Sequence, residues 1–181
     1  MFELPRPFVC GLQATIAAAL IGLLSLSTRT PFLFPALGAS TFIVIAFPHL
    51  PAARPRNVIG SHVLAAATGW LCYHGFGLDV VSATLVTGGS WQHVAAAALA
   101  LGTTTCLLLL LGMHHPPAGA TTLIFSLGFL PHAWQIAMVG ASAVLLVLIV
   151  RVLALLGPSP ARAAEPASVE ARDLPVRASD R

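Results

Sequence analysis

Two nine-residue stretches of this chain carry the same glycine and hydroxyl pattern at a constant offset of 81. Pro35-Ala36-Leu37-Gly38-Ala39-Ser40-Thr41-Phe42-Ile43 aligns with Pro116-Pro117-Ala118-Gly119-Ala120-Thr121-Thr122-Leu123-Ile124. The common pattern is Pro-x-x-Gly-Ala-(Ser/Thr)-Thr-apolar-Ile. Proline suits the first turn of a helix, where its missing N–H costs nothing. A helix start carries unpaired N–H groups and the positive end of the macrodipole. Glycine there lets a ligand approach the backbone, and the hydroxyls add donors. Such a start can hold a small anion without a buried Arg or Lys. The candidate substrate-binding residues are therefore Gly38, Ala39, Ser40 and Thr41 from one copy, and Gly119, Ala120, Thr121 and Thr122 from the other. His115 stands directly before Pro116-Pro117, at the approach to the second copy. It either gates the path and couples protons near neutral pH, or bonds a carbonyl freed by the proline break.

These stretches lie in a strongly apolar chain. The sequence is 57% hydrophobic and 8% charged, with mean hydropathy +0.88. Soluble domains are roughly a quarter charged. No charged residue falls between Arg6 and Arg29, between Arg56 and Asp79, or between Asp79 and Arg151. A bilayer-crossing helix needs about 20 apolar residues. The class is thus an all-α membrane protein. Lys is absent and all nine basic residues are Arg, a compositional habit of GC-rich bacterial genomes. The positive charge forms no basic stripe, which argues against a nucleic-acid partner.

Six hydrophobic segments are expected: Pro7–Leu26, Ala36–Phe47, Val58–Phe76, Gln92–Gly112, Ala118–Leu130 and Ala133–Leu156. The order is long-short-long, used twice. A 12-residue second segment spans about 18 Å as a helix, against a hydrocarbon core of about 30 Å. Its remaining depth must come from the Pro-bearing approach Pro31–Pro35. Short, interrupted segments in corresponding halves mark the substrate site of many transporters. The expected fold is a 3+3 inverted repeat with two short, Pro-broken helices. The transmembrane domain covers residues 1–157, with repeat one over about 7–76 and repeat two over about 89–156. Residues 158–181 turn to Pro, Ala, Ser, Arg and Glu, and read as a disordered cytoplasmic tail. The first apolar run lacks a clean small-residue cleavage site and reads as a retained span.

If the short segments cross, Arg6, Arg54, Arg56 and the tail share one side, and Arg29 lies on the other. If they re-enter, Arg29, Arg54 and Arg56 all lie opposite the N-terminus. The positive-inside rule favours crossing, with both termini cytoplasmic in a bacterial inner membrane.

The other polar residues read as supporting. His62 is expected near the interface, in a shallow hydrogen bond. His74, His93 and His132 fall near span ends and should face headgroups or water, with His49 in a loop. Trp70, Trp91 and Trp134 suit interfacial anchoring. Cys10, Cys72 and Cys106 lie one per segment without CxxC spacing, as small buried thiols. No H-x-x-x-H or Cys pair supports a metal or other cofactor, and Asp79 is the one acid between Arg6 and the tail. No Ser/His/Asp or paired-carboxylate constellation is available for an enzyme.

The string Met113-His114-His115-Pro116-Pro117-Ala118-Gly119-Ala120-Thr121 resembles the signature of the HPP family of integral membrane proteins. Pro35–Ser40 and Pro55-Arg56-Asn57-Val58-Ile59-Gly60-Ser61-His62 resemble its upstream stretch, and the likeness covers about residues 10–156. That family is described with four transmembrane helices, two fewer than the segments counted here. Ser61 stands where the family pattern has the second Gly of Gly-Gly-His. Plant and cyanobacterial relatives are associated with nitrite transport, so the resemblance implies nitrite as the leading substrate. The expected protein is a transporter or channel for a small inorganic anion, embedded in lipid as a homo-oligomer. Two rivals are a non-transporting scaffold, whose Gly-Ala runs only pack helices, and a weaker one, a membrane enzyme using the histidines.

Overall fold

The computed structural model describes residues 5–78 and 89–156, which form six α-helices and no strand. They are α1 (Arg6–Thr28), α2 (Pro35–Ala46), α3 (Pro55–Gly75), α4 (Trp91–Leu110), α5 (Ala118–Ser126) and α6 (Trp134–Leu156), with a 3-10 turn over Pro51–Ala53. The order long-short-long occurs twice. Residues 1–4, 79–88 and 157–181, which include Asp79 and the tail, lie outside the described residues.

Proline sets the helix starts. Pro7 sits in the first turn of α1, Pro35 opens α2 and Pro55 opens α3. Helix α3 therefore begins three residues before its expected apolar start. Phe34, in extended conformation, caps α2. The stretch leading to it is tied back to α1 by Leu33 N–H donating to Ser25 Oγ at 3.0 Å. Ser90 caps α4 through a reciprocal pair with His93, at 2.9 Å between Oγ and Nδ1.

Helix α5 is the shortest, at nine residues, or about 14 Å. It ends four residues before the apolar run does. Gly128 adopts φ +82°, its N–H bonds Phe125 O, and Phe129 N–H reaches Ile124 O. That is a Schellman closure, which needs a left-handed residue. A Cβ at Gly128 would lie 2.7 Å from the Tyr73 ring. Gly128→Ala is therefore expected to cost about 2 kcal/mol from backbone strain and overpacking, read as a lower melting temperature in detergent. An unchanged melting temperature would refute this account of the helix end.

Helices α1, α4 and α6 are long and apolar enough to cross a membrane. Helix α3, 21 residues long, is more polar because it is central. It packs against α4, α5, α6 and the 3-10 turn and buries Asn57, Ser61, His62 and Thr68. The peripheral α1 touches α2 and α6 and exposes Phe8, Leu12, Leu20, Leu23 and Leu26, as a lipid-facing helix would. Trp91 and Trp134 are exposed at helix starts, whereas Trp70 Nε1–H donates to Pro131 O at 3.1 Å. Cys106 is exposed, while Cys10 and Cys72 are half-buried. The thiols are therefore less buried than expected, because these helices turn apolar residues outward as readily as inward.

Several contacts tie helix ends together. Arg6 Nη2–H donates to Ala46 O at 2.6 Å, joining the start of α1 to the end of α2. Asn57 Nδ2–H donates to Pro51 O at 2.8 Å, bracing the start of α3. At the other end of α3, Trp70 and His74 both bond Pro131 O, in the connection between α5 and α6.

Candidate functional site

Four polar side chains from three helices and one loop meet inside the bundle. Ser40 comes from the second turn of α2, His62 from α3, His115 from the break before α5, and Thr121 from the first turn of α5. Ser40, His62 and Thr121 are 0% exposed and His115 is 1% exposed. Ser40 Oγ lies 2.8 Å from His62 Nε2 and 2.9 Å from His115 Nε2. His62 Nδ1 lies 2.7 Å from Thr121 Oγ1. His115 Nδ1 lies 2.7 Å from the Ala52 carbonyl oxygen.

Local backbone chemistry explains the position of His115. Gly112 takes φ +64° and closes α4 with Met113 N–H on Leu108 O. Pro116 cannot follow a helical residue easily, so the chain turns at His114-His115. His114 faces outward and His115 inward. The Phe34 ring meets His62 edge-on, with centroids 5.9 Å apart, and the two imidazoles stand 5.1 Å apart.

The donor and acceptor inventory assigns every hydrogen in this chain. A carbonyl only accepts, so His115 Nδ1 carries the hydrogen toward Ala52. In the neutral ring Nε2 is then an acceptor. Ser40 has one hydrogen and gives it to His115 Nε2; the Ala36 carbonyl, at 3.1 Å, is the longer alternative. The Ser40 lone pair faces His62 Nε2, which therefore carries a hydrogen. His62 Nδ1 is left to accept from the Thr121 hydroxyl. The sequence of donations runs one way, from Thr121 through His62 and Ser40 to His115 and Ala52.

Of the nine residues singled out from sequence, Ser40, His115 and Thr121 come together here. Thr122 is buried beside them, but its hydroxyl donates to Thr104 Oγ1 at 3.0 Å. Thr41 turns its hydroxyl back to Leu37 O at 2.7 Å. Gly38, Ala39 and Ala120 lie on exposed faces, and Gly119 is half-buried. A cavity of about 400 Å³ lies elsewhere, between the start of α1 and the end of α2, lined by Arg6, Cys10, Phe42 and Phe47 among others.

His62 is the residue that sequence reading misplaced. It has no counterpart at the repeat offset, where Ala143 stands. Yet Val58, Ser61, His62, Ala65, Ala66 and Gly69 recur at helical spacing, and all are buried. That stripe of small and polar residues was the available signal. His93 was likewise expected to face headgroups, but it is 1% exposed because it closes the α4 cap.

A family model described as HPP, transmembrane region, matches residues 2–159. No curated protein and no solved structure matches the chain.

Proposed function

The chain belongs to the HPP transmembrane family, and from that membership and the buried cluster we propose a transporter or channel for a small inorganic anion, with nitrite the leading candidate. The observation that carries this reading is the meeting of Ser40, His62, His115 and Thr121 with no charged partner among the described residues. Polar and ionisable groups inside a membrane are costly and mark ligand paths. In the arrangement described, their donors satisfy one another. An anion passing here would take hydrogens from Thr121, Ser40 and the imidazoles in place of those internal bonds. A small planar monoanion suits donors spaced this closely.

The pairing of helix ends supports a 3+3 inverted repeat. The start of α1, the end of α2, the start of α3 and the end of α4 are linked through Arg6–Ala46, Asn57–Pro51 and His115–Ala52. The end of α3 meets the α5–α6 connection. Repeat one then runs up-down-up and repeat two down-up-down. Arg6, Arg54 and Arg56 fall on one side, which the positive-inside rule makes cytoplasmic.

A packing-only role for the Gly-Ala motifs would need tight crossings at both glycines. A Cβ at Gly38 meets nothing within 4 Å, and one at Gly119 makes an ordinary 3.4 Å contact with Leu101. Gly119→Ala should therefore leave folded protein unchanged. Thr121→Val removes one hydroxyl at nearly constant volume. The test is uptake of nitrite, nitrate, formate and chloride into proteoliposomes of the full chain. Nitrite uptake should exceed that of protein-free vesicles, and Thr121→Val should lower it at least tenfold with folded protein retained. Uptake of all four anions at the protein-free rate would end the proposal.

A further inference from the structure

We propose that the seam between α1 and α2 binds one anionic phospholipid, with its phosphate on Arg6 and an acyl chain in the adjoining cavity. The site lies apart from the Ser40–His62 cluster and does not depend on the anion-transport reading. The cavity measures about 400 Å³, the size of a small-ligand pocket. On α1 its lining runs from Arg6 to Ala14, about 12 Å of helix. On α2 the rings of Phe42 and Phe47 line it and meet edge-on, with centroids 5.6 Å apart. Gly11 keeps the space open, since a Cβ there would meet nothing within 4 Å. Arg6 is the one charged residue in the lining.

The fold holds Arg6 in place. Its Nη2–H donates to Ala46 O at 2.6 Å. Ala46 is the last residue of α2, so the cation also meets the negative end of that helix dipole. A guanidinium has five N–H donors, and the others have no hydrogen-bond partner among the described residues. No Asp or Glu occurs in residues 5–78 or 89–156, so no described carboxylate neutralises the charge. The other described arginines, Arg29, Arg54, Arg56 and Arg151, are exposed, whereas Arg6 is half-buried. A charge drawn out of water without an ionic partner is costly. A ligand that brings negative charge to Arg6 relieves that cost.

The rest of the lining selects a lipid over a free anion. Apart from Arg6 and the Cys10 thiol, the side chains there are apolar. A free phosphate would leave that surface without a partner, whereas an acyl chain fills it. The occupant therefore has a charged head and an apolar tail. Phe42 on one wall is 63% exposed, so the groove is reached from the lipid side. Arginine pairs phosphate oxygens through two parallel N–H bonds, and basic pockets between membrane helices hold anionic headgroups. A zwitterionic head carries its own cation beside the phosphate and gains less. Arg54 and Arg56 follow the 3-10 turn, which packs against α2 and α3, and their charge strengthens the preference at this end of the bundle.

The test is native mass spectrometry of the full chain, released from detergent containing phosphatidylglycerol or phosphatidylcholine with identical acyl chains. One phosphatidylglycerol per chain is expected, bound about fivefold tighter than phosphatidylcholine, the effect of one arginine near an anionic headgroup. Arg6→Gln should bring the two lipids to within about twofold of each other. Gly11→Leu fills the cavity, and because leucine favours a helix more than glycine does, this variant should stay folded and bind both lipids about tenfold more weakly. It keeps the proposal testable if Arg6→Gln, without its bond to Ala46, folds poorly. Equal binding of the two lipids by the unaltered chain overturns the proposal, as does undiminished binding by Gly11→Leu. A preference that survives Arg6→Gln also overturns it. Dimer masses that Gly11→Leu converts to monomer, with no lipid bound, would give the groove to a second copy and overturn it too. Each of these results leaves the anion-transport reading where it stands.

Discussion

Gly69→Val is expected to yield almost no folded protein in the membrane fraction, and Gly69→Ala to melt well below the unaltered chain. This is the largest stability effect expected from any single methyl group here. A Cβ at Gly69 would lie 2.5 Å from the Thr122 carbonyl oxygen, 2.8 Å from Phe125 Cβ and 3.2 Å from Ser126 N. Two of those three atoms are backbone, so no side chain can swing aside. Helix α5 would have to move bodily away from α3, and Thr121 would leave His62 with it. Overpacking of this kind costs about 3 kcal/mol or more. Gly60→Ala is the control. Its Cβ would meet the Met113 thioether at 3.1 Å, a flexible group that can shift for less than about 1 kcal/mol. The measurement is the monodisperse fraction and melting temperature of the three variants in one detergent. Equal stability of Gly69→Val and the unaltered protein would show that α3 and α5 do not cross at this point.

If the proposed anion transport holds, His62→Leu is expected to abolish nitrite uptake, at least a hundredfold down, while His114→Gln leaves it unchanged. Leucine keeps the bulk of the ring and loses both nitrogens. Ser40 and Thr121 would each lose a partner at a position with no solvent access. Leaving buried polar groups unpaired costs about 1–3 kcal/mol each, so the variant should also melt earlier. His114 separates these effects from a general need for histidine near the proline break, because it is exposed while its neighbour is buried. Uptake by His62→Leu within twofold of the unaltered protein would remove the cluster from the proposed transport path.

Much of this architecture was written locally. Charge-free runs determined the membrane class, since a charge in hydrocarbon is expensive wherever it sits. Pro35, Pro55 and Pro116-Pro117 determined helix starts through backbone sterics that need no tertiary partner. The truncated α2 and α5 followed, and with them Ser40, His115 and Thr121 as residues close to a break. What the sequence could not decide was which way each helix turns. In water an apolar stripe orients a helix, but lipid is as apolar as a protein interior, so these helices are hydrophobic on all sides. Hence Gly38, Ala39 and Ala120 share a motif with Ser40 and Thr121 yet face outward. Hence also His62, with no repeat counterpart, gives no sign in its local sequence of the depth it takes, because that depth comes from the central place of α3 in the bundle. Packing against α4, α5 and α6, with the bonds of His62 to Ser40 and Thr121, decides that face, because turning a mostly apolar helix costs little until its few polar groups find partners.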